Sequence, residues 1–345
     1  MLVAGVALVA ALAAAGPAGP AAPELKELVG QKLVVRMDGT SPSRSLLLRA
    51  RYGQIGGVIL HRFNFSSPAQ LRSTTRALQR AAAEGGRPRL LIAVDQEGGP
   101  VSTVGWAPPT LAPGRMSSAA VARRQGALTG AALGELGINV DLAPVADVPA
   151  SSSALMWPRA FSSSAAHTAR LANAFAAGLA DRRLLAAVKH FPGLGFATRN
   201  TDKEVVRIVA SRTRLAPGLR PFRAAVAARV PLVMLSNAVY GAYDPRNAAG
   251  WSRAVGTTLL RNELGFRGVT ITDSLDGAAH ARGVPADTLA VRAAVAETDL
   301  ILVTGSEPAS LSVYISLLRA ARDGRIPSIR LEASYRRILE LKRSR

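Results

Sequence analysis

Several short apolar runs in this 345-residue chain end in polar residues that could carry chemistry. The residues at these ends are Asp95, Asp147, Lys189 with His190, and Asp273. A carboxylate can act as a nucleophile, a general base, a metal ligand or an acceptor for hydroxyl groups. Carboxylates beside a lysine and a histidine suit a neutral, polyhydroxylated ligand, because each hydroxyl needs a donor or an acceptor in a fixed place.

Metal-dependent hydrolysis is the competing class of chemistry. It usually requires histidine clusters, whereas this chain has four histidines, none in an H-x-x-x-H arrangement, and no cysteine. His61 follows an apolar run and could face the same site, but we expect a structural histidine with satisfied hydrogen bonds there. No G-x-G-x-x-G motif follows the first apolar run, which argues against dinucleotide binding. We therefore expect neither a metal nor a cofactor.

The elements that must position these residues alternate along the chain. Runs of four to eight residues rich in Val, Ile and Leu are separated by longer Ala/Arg segments with helical spacing. The predicted strands cover 32–37, 56–61, 90–95, 138–145, 184–190, 231–236, 268–273 and 299–304. This alternation predicts the α/β class and a single (β/α)₈ TIM-type barrel over residues 25–345, rather than an open doubly wound sheet. The carboxyl ends of such strands meet at one mouth, where the polar residues would converge.

The order of the motifs resembles a known family. The set comprises GGVILHRFN (56–64), LLIAVDQEGG (90–99), GINVDLAPVADV (137–148), PRAF (158–161), VKHFPGLG (188–195) and ELGFRGVTITDSLD (263–276). Together they resemble the N-terminal catalytic barrel of glycoside hydrolase family 3. The branch that looks most similar is that of the single-domain bacterial β-N-acetylglucosaminidases (β-N-acetylhexosaminidases) of cell-wall turnover.

The resemblance implies a retaining exo-β-glycosidase that acts by double displacement on terminal β-linked sugars. Asp273 matches the family nucleophile, which forms a glycosyl-enzyme intermediate. Asp95, Arg159, Lys189 and His190 match positions that hold the non-reducing sugar, with Asp95 accepting from hydroxyls and the two cations donating to them. Judged from the residues alone, Asp273 could instead be a structural carboxylate, and Lys189 and His190 could form an internal network.

The loop after KHFPG departs from the family pattern. The acetylglucosaminidase branch carries an Asp and a His there as its acid/base dyad, and this chain has Asn200 and Asp202 at the two positions. Asp202 would then be the acid/base, with Asn200 bonded to the sugar or to Asp202, and Glu204 is a second carboxyl candidate. The alternative is a carbohydrate-binding pseudoenzyme of the cell envelope. Thr103 replaces a family arginine, so specificity for N-acetylglucosamine rests on the resemblance only.

The formal charge of +20 comes from basic residues scattered as singles and pairs. No long Lys/Arg run and no nucleic-acid-binding motif accompanies it, so we expect no specific nucleic-acid partner. A solvated, Arg-rich surface is the simplest interpretation, and weak association with an anionic cell wall or membrane surface is the alternative.

Residues 2–15 are uncharged and apolar, and a Gly/Pro/Ala-rich stretch follows them. The run is short for a membrane span and has the length of a signal-peptide core, although the basic flank is missing. We assign 1–24 to a signal-like or anchoring segment with its linker, and an ordinary buried helix is the alternative. We therefore expect a secreted or envelope-associated monomer.

Overall fold

Eight parallel strands form the centre of the molecule in a computed structural model that describes residues 23–344. Numbered in chain order, the strands are β1 (Leu33–Arg36), β2 (Gly57–Ile59), β3 (Leu91–Val94), β4 (Val140–Asp141), β5 (Leu185–Phe191), β6 (Leu232–Leu235), β7 (Val269–Thr272) and β8 (Ile301–Val303). Consecutive strands from β1 to β7 pair with one another, and β8 pairs with β1. An isolated bridge between Ile271 and Leu300 joins β7 to the residue before β8. The predicted (β/α)₈ barrel is confirmed, and every predicted strand is present.

Helices surround the barrel. They are α1 (Leu25–Gly30), α2 (Arg44–Arg51), α3 (Pro68–Glu84), α4 (Ala119–Glu135), α5 (Ala165–Ala180), α6 (Arg212–Leu215), α7 (Arg220–Ala227), a π-helical segment (Ala254–Glu263), α8 (Leu275–Arg282), α9 (Ala286–Val295), α10 (Glu307–Arg322) and α11 (Ser328–Arg343). Within residues 23–344, no helix combines the length and the apolar character needed to cross a bilayer. Of the N-terminal segment predicted over 1–24, all but its last two residues lie outside the described part of the chain.

Serine side chains start the helices that follow β1 to β4. Ser43, Ser67, Ser118 and Ser164 each accept a hydrogen bond from a backbone N–H in the first turn of α2, α3, α4 and α5, respectively. These bonds satisfy donors that the first helical turn leaves without an intrahelical partner. The caps therefore fix where each loop at the barrel mouth ends and its helix begins.

The barrel interior is filled by apolar side chains and is not a channel. The strand residues of this cluster are Val34, Ile59, Leu91, Ala93, Val140, Leu142, Leu185, Ala187, Leu232, Met234, Val269, Ile271, Leu300 and Leu302. Ile338 and Leu341 of α11 belong to the same cluster, so the last helix packs against the amino-terminal end of the barrel. The carboxyl ends of the strands are therefore the expected position of a ligand site.

A buried ion cluster ties α11 to the barrel. The Asp299 carboxylate, fully buried before β8, accepts two hydrogen bonds from Arg337 at 3.0 and 2.7 Å and one from Arg261 at 2.5 Å. Lys32 donates to the backbone oxygen of the same residue at 2.9 Å. Burial alone would raise the pKa of Asp299, but the two guanidinium groups hold it below its usual value. The anion therefore joins α11, the π-helical segment and the start of β8.

We expect Asp299→Asn to lower the free energy of unfolding by about 3–5 kcal/mol, because it leaves buried guanidinium groups without a counter-charge. Urea unfolding followed by circular dichroism measures the change. Because folding lowers the pKa of Asp299, this stabilisation is present above the unfolded pKa and is lost as the pH falls through the folded pKa. Asp323→Asn is the matched control: its exposed carboxylate lies 3.8 Å from Arg325, and the expected change is below about 0.5 kcal/mol. Equal effects of the two variants would contradict this account of the cluster.

Candidate active site

Seven of the side chains singled out from the sequence line one cavity at the carboxyl end of the barrel. It has a volume of about 360 Å³, and these residues are Asp95, Arg159, Lys189, His190, Asn200, Asp202 and Asp273. A larger cavity of about 780 Å³ lies at the opposite end, against α5, α7 and α11, and it is lined mainly by alanine, valine and leucine. None of the seven residues lines that second cavity. The convergent polar groups at the strand ends make the smaller cavity the candidate site.

Glu97 is the centre of the charged network on one side of the cavity. Arg159 donates to both of its carboxylate oxygens, at 2.8 and 2.6 Å. Lys189 Nζ lies 2.6 Å from Glu97 Oε1 and 2.6 Å from Asp95 Oδ1. Burial alone would raise the pKa of Glu97, but the two cations hold it at about 2. The same two carboxylates raise the pKa of Lys189 against the effect of its burial, so the lysine stays charged.

Asp95 is the member of this network that faces the ligand space. Its side chain keeps 30% of its surface exposed, whereas the side chain of Glu97 keeps 1%. Glu97 therefore orients Arg159 and Lys189 from behind, and Asp95 presents carboxylate oxygens to the cavity. Glu97 was not among the site residues predicted from the sequence, although it lies within the motif LLIAVDQEGG (90–99).

Asp147 orients His190. The carboxylate is fully buried, and its Oδ2 lies 2.7 Å from His190 Nδ1, while its Oδ1 accepts the backbone N–H of Leu194 at 2.6 Å. A carboxylate accepts, so Nδ1 carries the proton, and Nε2 is the nitrogen that is left for a ligand. Asp147 thus fixes the ring and its tautomer, and it anchors the start of the loop that carries Asp202.

Asp273 and Asp95 lie on opposite sides of the mouth. β3 and β7 are four strands apart in the eight-stranded barrel, which places their ends across the opening from each other. The backbone N–H of Asp273 donates to Leu235 O at 3.0 Å, and its Oδ1 accepts the N–H of Ser274 at 2.8 Å. A ring bound between them would present one edge to Asp95 and the other edge to Asp273.

The loop after β5 brings Asp202 into the same cavity. Asn200 Oδ1 accepts the backbone N–H of Asp202 at 2.8 Å, so the asparagine shapes the turn that presents the carboxylate. Burial of the carboxyl group and the nearby negative charge of Asp273 raise the pKa of Asp202 to about 6. Glu204, the second candidate, pairs with Arg199 at 2.8 Å on the exposed side of the loop and does not line the cavity.

A helical glycine makes room for this carboxylate. Gly277 lies in the first turn of α8, directly after Asp273 and Ser274. A Cβ at position 277 would lie 2.5 Å from Asp202 Cβ and 2.7 Å from its Cγ. The position of Asp202 therefore requires a residue without a side chain at this point of the helix.

The expectation for His61 was wrong. The ring lines the cavity, and its buried Nε2 has no hydrogen-bond partner among residues 23–344. The ring is held by packing instead: it stacks on Phe63 with 5.7 Å between ring centroids. Burial lowers the pKa of His61, which keeps the imidazole neutral.

Comparison with known proteins decides the family. The model of the glycosyl hydrolase family 3 N-terminal domain matches residues 25–341. The chain belongs to glycoside hydrolase family 3. The resemblance inferred from the motifs is thereby confirmed, and as a family member the chain is an O-glycosyl hydrolase.

Relatives and solved structures agree with this assignment. A β-hexosaminidase of Alkalilimnicola ehrlichii is 35% identical over 285 residues, which cover 79% of this chain and 80% of that protein. A family 3 β-N-acetylglucosaminidase of Paenibacillus superposes with a TM-score of 0.89 at 33% identity, covering 94% of this chain and 63% of that one. The β-N-acetylhexosaminidase of Beutenbergia cavernae gives a TM-score of 0.85 at 30% identity, covering 94% and 99%.

Gly277→Ala tests whether the geometry of Asp202 matters. Alanine normally stabilises a helix by about 0.5–1 kcal/mol relative to glycine. Here the added methyl group would displace Asp202, so we expect hydrolysis of a glycoside with a poor leaving group to fall at least ~10-fold while the melting temperature holds or rises. Gly134→Ala in α4 is the control, because no atom lies within 4 Å of its added Cβ. Unchanged hydrolysis by the first variant would exclude a spatial requirement at position 277.

Proposed function

We propose that this family 3 hydrolase is a retaining exo-β-glycosidase that removes terminal N-acetylglucosamine-type sugars from cell-wall fragments. Asp273 is the nucleophile and Asp202 is the acid/base. One observation carries the proposal: a carboxyl group with a pKa of about 6 shares a cavity with the strand-end carboxylate of Asp273. The names of the relatives support the choice of an amino sugar.

The shape of the site favours attack at a chain end. The cavity volume of about 360 Å³ is near the lower limit for small-molecule sites, and α11 covers the far end of the barrel. A single terminal sugar can enter such a cavity, whereas the middle of a polysaccharide cannot pass through it. Asp95, Lys189 and His190 would then bind the hydroxyls of the non-reducing edge.

The first step transfers the sugar to the protein. A carboxylate oxygen of Asp273 attacks the anomeric carbon, the glycosidic bond breaks, and the proton of Asp202 moves to the leaving oxygen. The products are a glycosyl ester of Asp273, an alcohol and the Asp202 carboxylate. This step needs a protonated carboxyl group near neutrality, which burial and the charge of Asp273 favour.

The second step restores the enzyme. Once Asp273 is esterified, its negative charge no longer raises the pKa of Asp202, and the carboxylate becomes the favoured form. Asp202 then takes a proton from water as the water oxygen attacks the anomeric carbon and Asp273 leaves. The same pair of residues thus suits the acid role in one step and the base role in the next.

We also propose that the enzyme works outside the cytoplasm as a monomer. The apolar segment at residues 2–15 supports the location outside the cytoplasm, and a relative from Arthroderma benhamiae, 32% identical over 326 residues, is described as a secreted glycosyl hydrolase. The net charge of +20 would favour weak contact with anionic wall or membrane surfaces.

Leaving-group dependence tests the two catalytic roles. Asp273→Ala should abolish turnover of every aryl β-N-acetylglucosaminide. Asp202→Ala should slow a substrate with a poor leaving group by ~10²–10⁴-fold, and it should affect the first step of an activated nitrophenyl substrate much less, because that leaving group needs no proton. Steady-state and single-turnover rates provide the comparison. Turnover that persists in Asp273→Ala refutes the nucleophile, and sugar binding without any turnover in the native protein identifies the pseudoenzyme.

The pH profile tests the acid form of Asp202. With a pKa of about 6, the group is protonated below that pH, so kcat/KM for a poor leaving group should fall as the pH rises above about 6. The Asp202→Asn variant should hydrolyse this substrate much more slowly, and its kcat/KM should not show the fall above pH 6. Glu204→Gln is the matched control on the same loop and should keep the native profile, because Glu204 pairs with Arg199 outside the cavity. An alkaline limb that moves in Glu204→Gln and persists in Asp202→Asn would reverse the assignment.

A further inference from the structure

His61 brings a ring nitrogen without a hydrogen-bond partner into the candidate site. The residue follows β2, its side chain lines the cavity, and its buried Nε2 bonds to no group among residues 23–344. Buried polar atoms almost always have a partner, because an unpaired one costs free energy. An unpaired nitrogen in the wall of a ligand cavity therefore indicates that the ligand supplies the partner.

The turn that carries His61 is anchored to the loop after β1. The backbone N–H of His61 donates to Asn64 Oδ1 at 2.8 Å, and Asn64 Nδ2 donates to Met37 O at 2.9 Å and to Gly39 O at 2.6 Å. The imidazole lies nearly parallel to the ring of Phe63, with 17° between the two ring planes. The ring is thus held in place before a ligand binds, which reduces the conformational entropy that binding would cost.

The imidazole suits an uncharged hydroxyl group. Burial lowers the pKa of His61, and the charge of Arg36 has the same effect, while the Asp95 carboxylate acts in the opposite direction. A neutral ring presents either an N–H or a lone pair at Nε2. A hydroxyl group can accept from the first or donate to the second, so it matches Nε2 in either tautomer. The negative charge of Asp95 disfavours an anionic ligand group at this point.

Asp273 and Asp95 determine which part of a bound pyranose ring faces His61. C1 must lie at Asp273 for nucleophilic attack. C4 is the ring atom opposite C1, which places it at Asp95, across the mouth. Because β2 pairs with β3, His61 stands beside Asp95, on the flank formed by β1, β2 and β8. The ring atoms next to C4 are C3 on one flank and C5 on the other.

The two flanks of the cavity differ in their polar groups. Arg159, Lys189 and His190 line the flank of β4 and β5, which suits the sugar edge that carries substituents at both C2 and C3. The opposite flank is lined by Ile59, His61, Leu302 and Thr304. Thr304 Oγ1 lies 2.5 Å from Ser274 Oγ, beside β7, which leaves His61 as the partner for a ligand near Asp95. This flank matches the edge with the ring oxygen and C5, whose hydroxymethyl group carries one hydroxyl.

We propose that His61 Nε2 binds the hydroxyl group at C6 of the terminal sugar and makes the enzyme selective for it. The inference rests on the proposed function, since it assumes that the terminal sugar occupies the cavity with C1 at Asp273. The ligand class is a β-linked N-acetylhexosamine with an unsubstituted primary hydroxyl. A sugar that lacks this hydroxyl leaves Nε2 unpaired, and a substituent on it would meet the packed imidazole.

Hydrolysis of a 6-deoxy substrate tests the proposal. The native protein and His61→Phe would be compared on 4-nitrophenyl N-acetyl-β-glucosaminide and on its 6-deoxy analogue. For the native protein we expect kcat/KM to be roughly 5- to 20-fold lower with the analogue, because the site loses a hydrogen bond built for a hydroxyl. His61→Phe should keep the stacking on Phe63 and distinguish the two substrates by less than about twofold. His61→Gln, which can place an amide nitrogen near the position of Nε2, should recover part of the selectivity.

His280→Phe is the matched control. His280 is an exposed histidine of α8 that does not line the cavity, so its replacement should leave both rates native. The same ratio of the two rates in the native protein and in His61→Phe would overturn the proposal. A 3-deoxy analogue whose penalty disappears in His61→Phe, while that of the 6-deoxy analogue persists, would overturn the assignment to C6 by showing the ring bound in the opposite sense.

Failure of the proposed function gives a different result. In that case the native protein hydrolyses neither substrate. Calorimetric binding of N-acetylglucosamine and of its 6-deoxy analogue to the native protein and to His61→Phe then decides the role of His61. Weaker binding of the analogue by the native protein only would support that role, and equal discrimination by both proteins would overturn it.

Discussion

The geometry of the site depends on a lysine that the fold removes from water between two carboxylates. The Lys189 side chain is 2% exposed, and both Asp95 and Glu97 lie 2.6 Å from its ammonium group. Burying charges of this kind costs several kcal/mol for each ion, and only close mutual pairing offsets the cost. β3, β5 and the loop after β4 must therefore hold their ends in one relative position, because any separation leaves a buried charge uncompensated. Arg159, on the loop after β4, joins this network by donating to both carboxylate oxygens of Glu97.

The mouth is consequently polarised. Paired cations and anions occupy the side formed by β3, β4 and β5, where charges are balanced and positions are fixed. Asp273 stands across the opening, and Asp202 lies in the same cavity on the loop after β5. The side near β3, β4 and β5 suits the recognition of neutral hydroxyls, since each charged side chain there already has a partner of opposite charge. The carboxyl pair suits proton transfer, since neither group has a cation as its direct partner and the charge of one alters the proton affinity of the other.

Local patterns in the sequence were enough to predict the barrel and the convergence of polar strand-end residues at one mouth. Apolar runs of strand length and the polar residues that end them specify the eight strands and place Asp95, Lys189 and Asp273 at one end. The features that could not be predicted from the sequence depend on contacts between distant segments. Glu97 is the hub of the network only because Arg159 and Lys189, from separate loops, converge on it. Gly277 reads as a weak helix position until Asp202, 75 positions away, is seen to occupy the space of its missing side chain. Nε2 of His61 has no hydrogen-bond partner among residues 23–344, and the ring stacks on Phe63, a contact that no local sequence pattern indicates.

Ile338 and Leu341 of α11 pack on the barrel core at its amino-terminal end, and the candidate site opens at the carboxyl end. A sugar that enters must leave by the opening through which it came, and the remainder of the chain stands in that opening until it departs. In the proposed reaction, the truncated chain therefore leaves first and the released sugar second, which is the order a covalent intermediate requires. The next chain end can enter only after the cavity has emptied. In the proposed reaction, each turnover is therefore a separate encounter with a chain end.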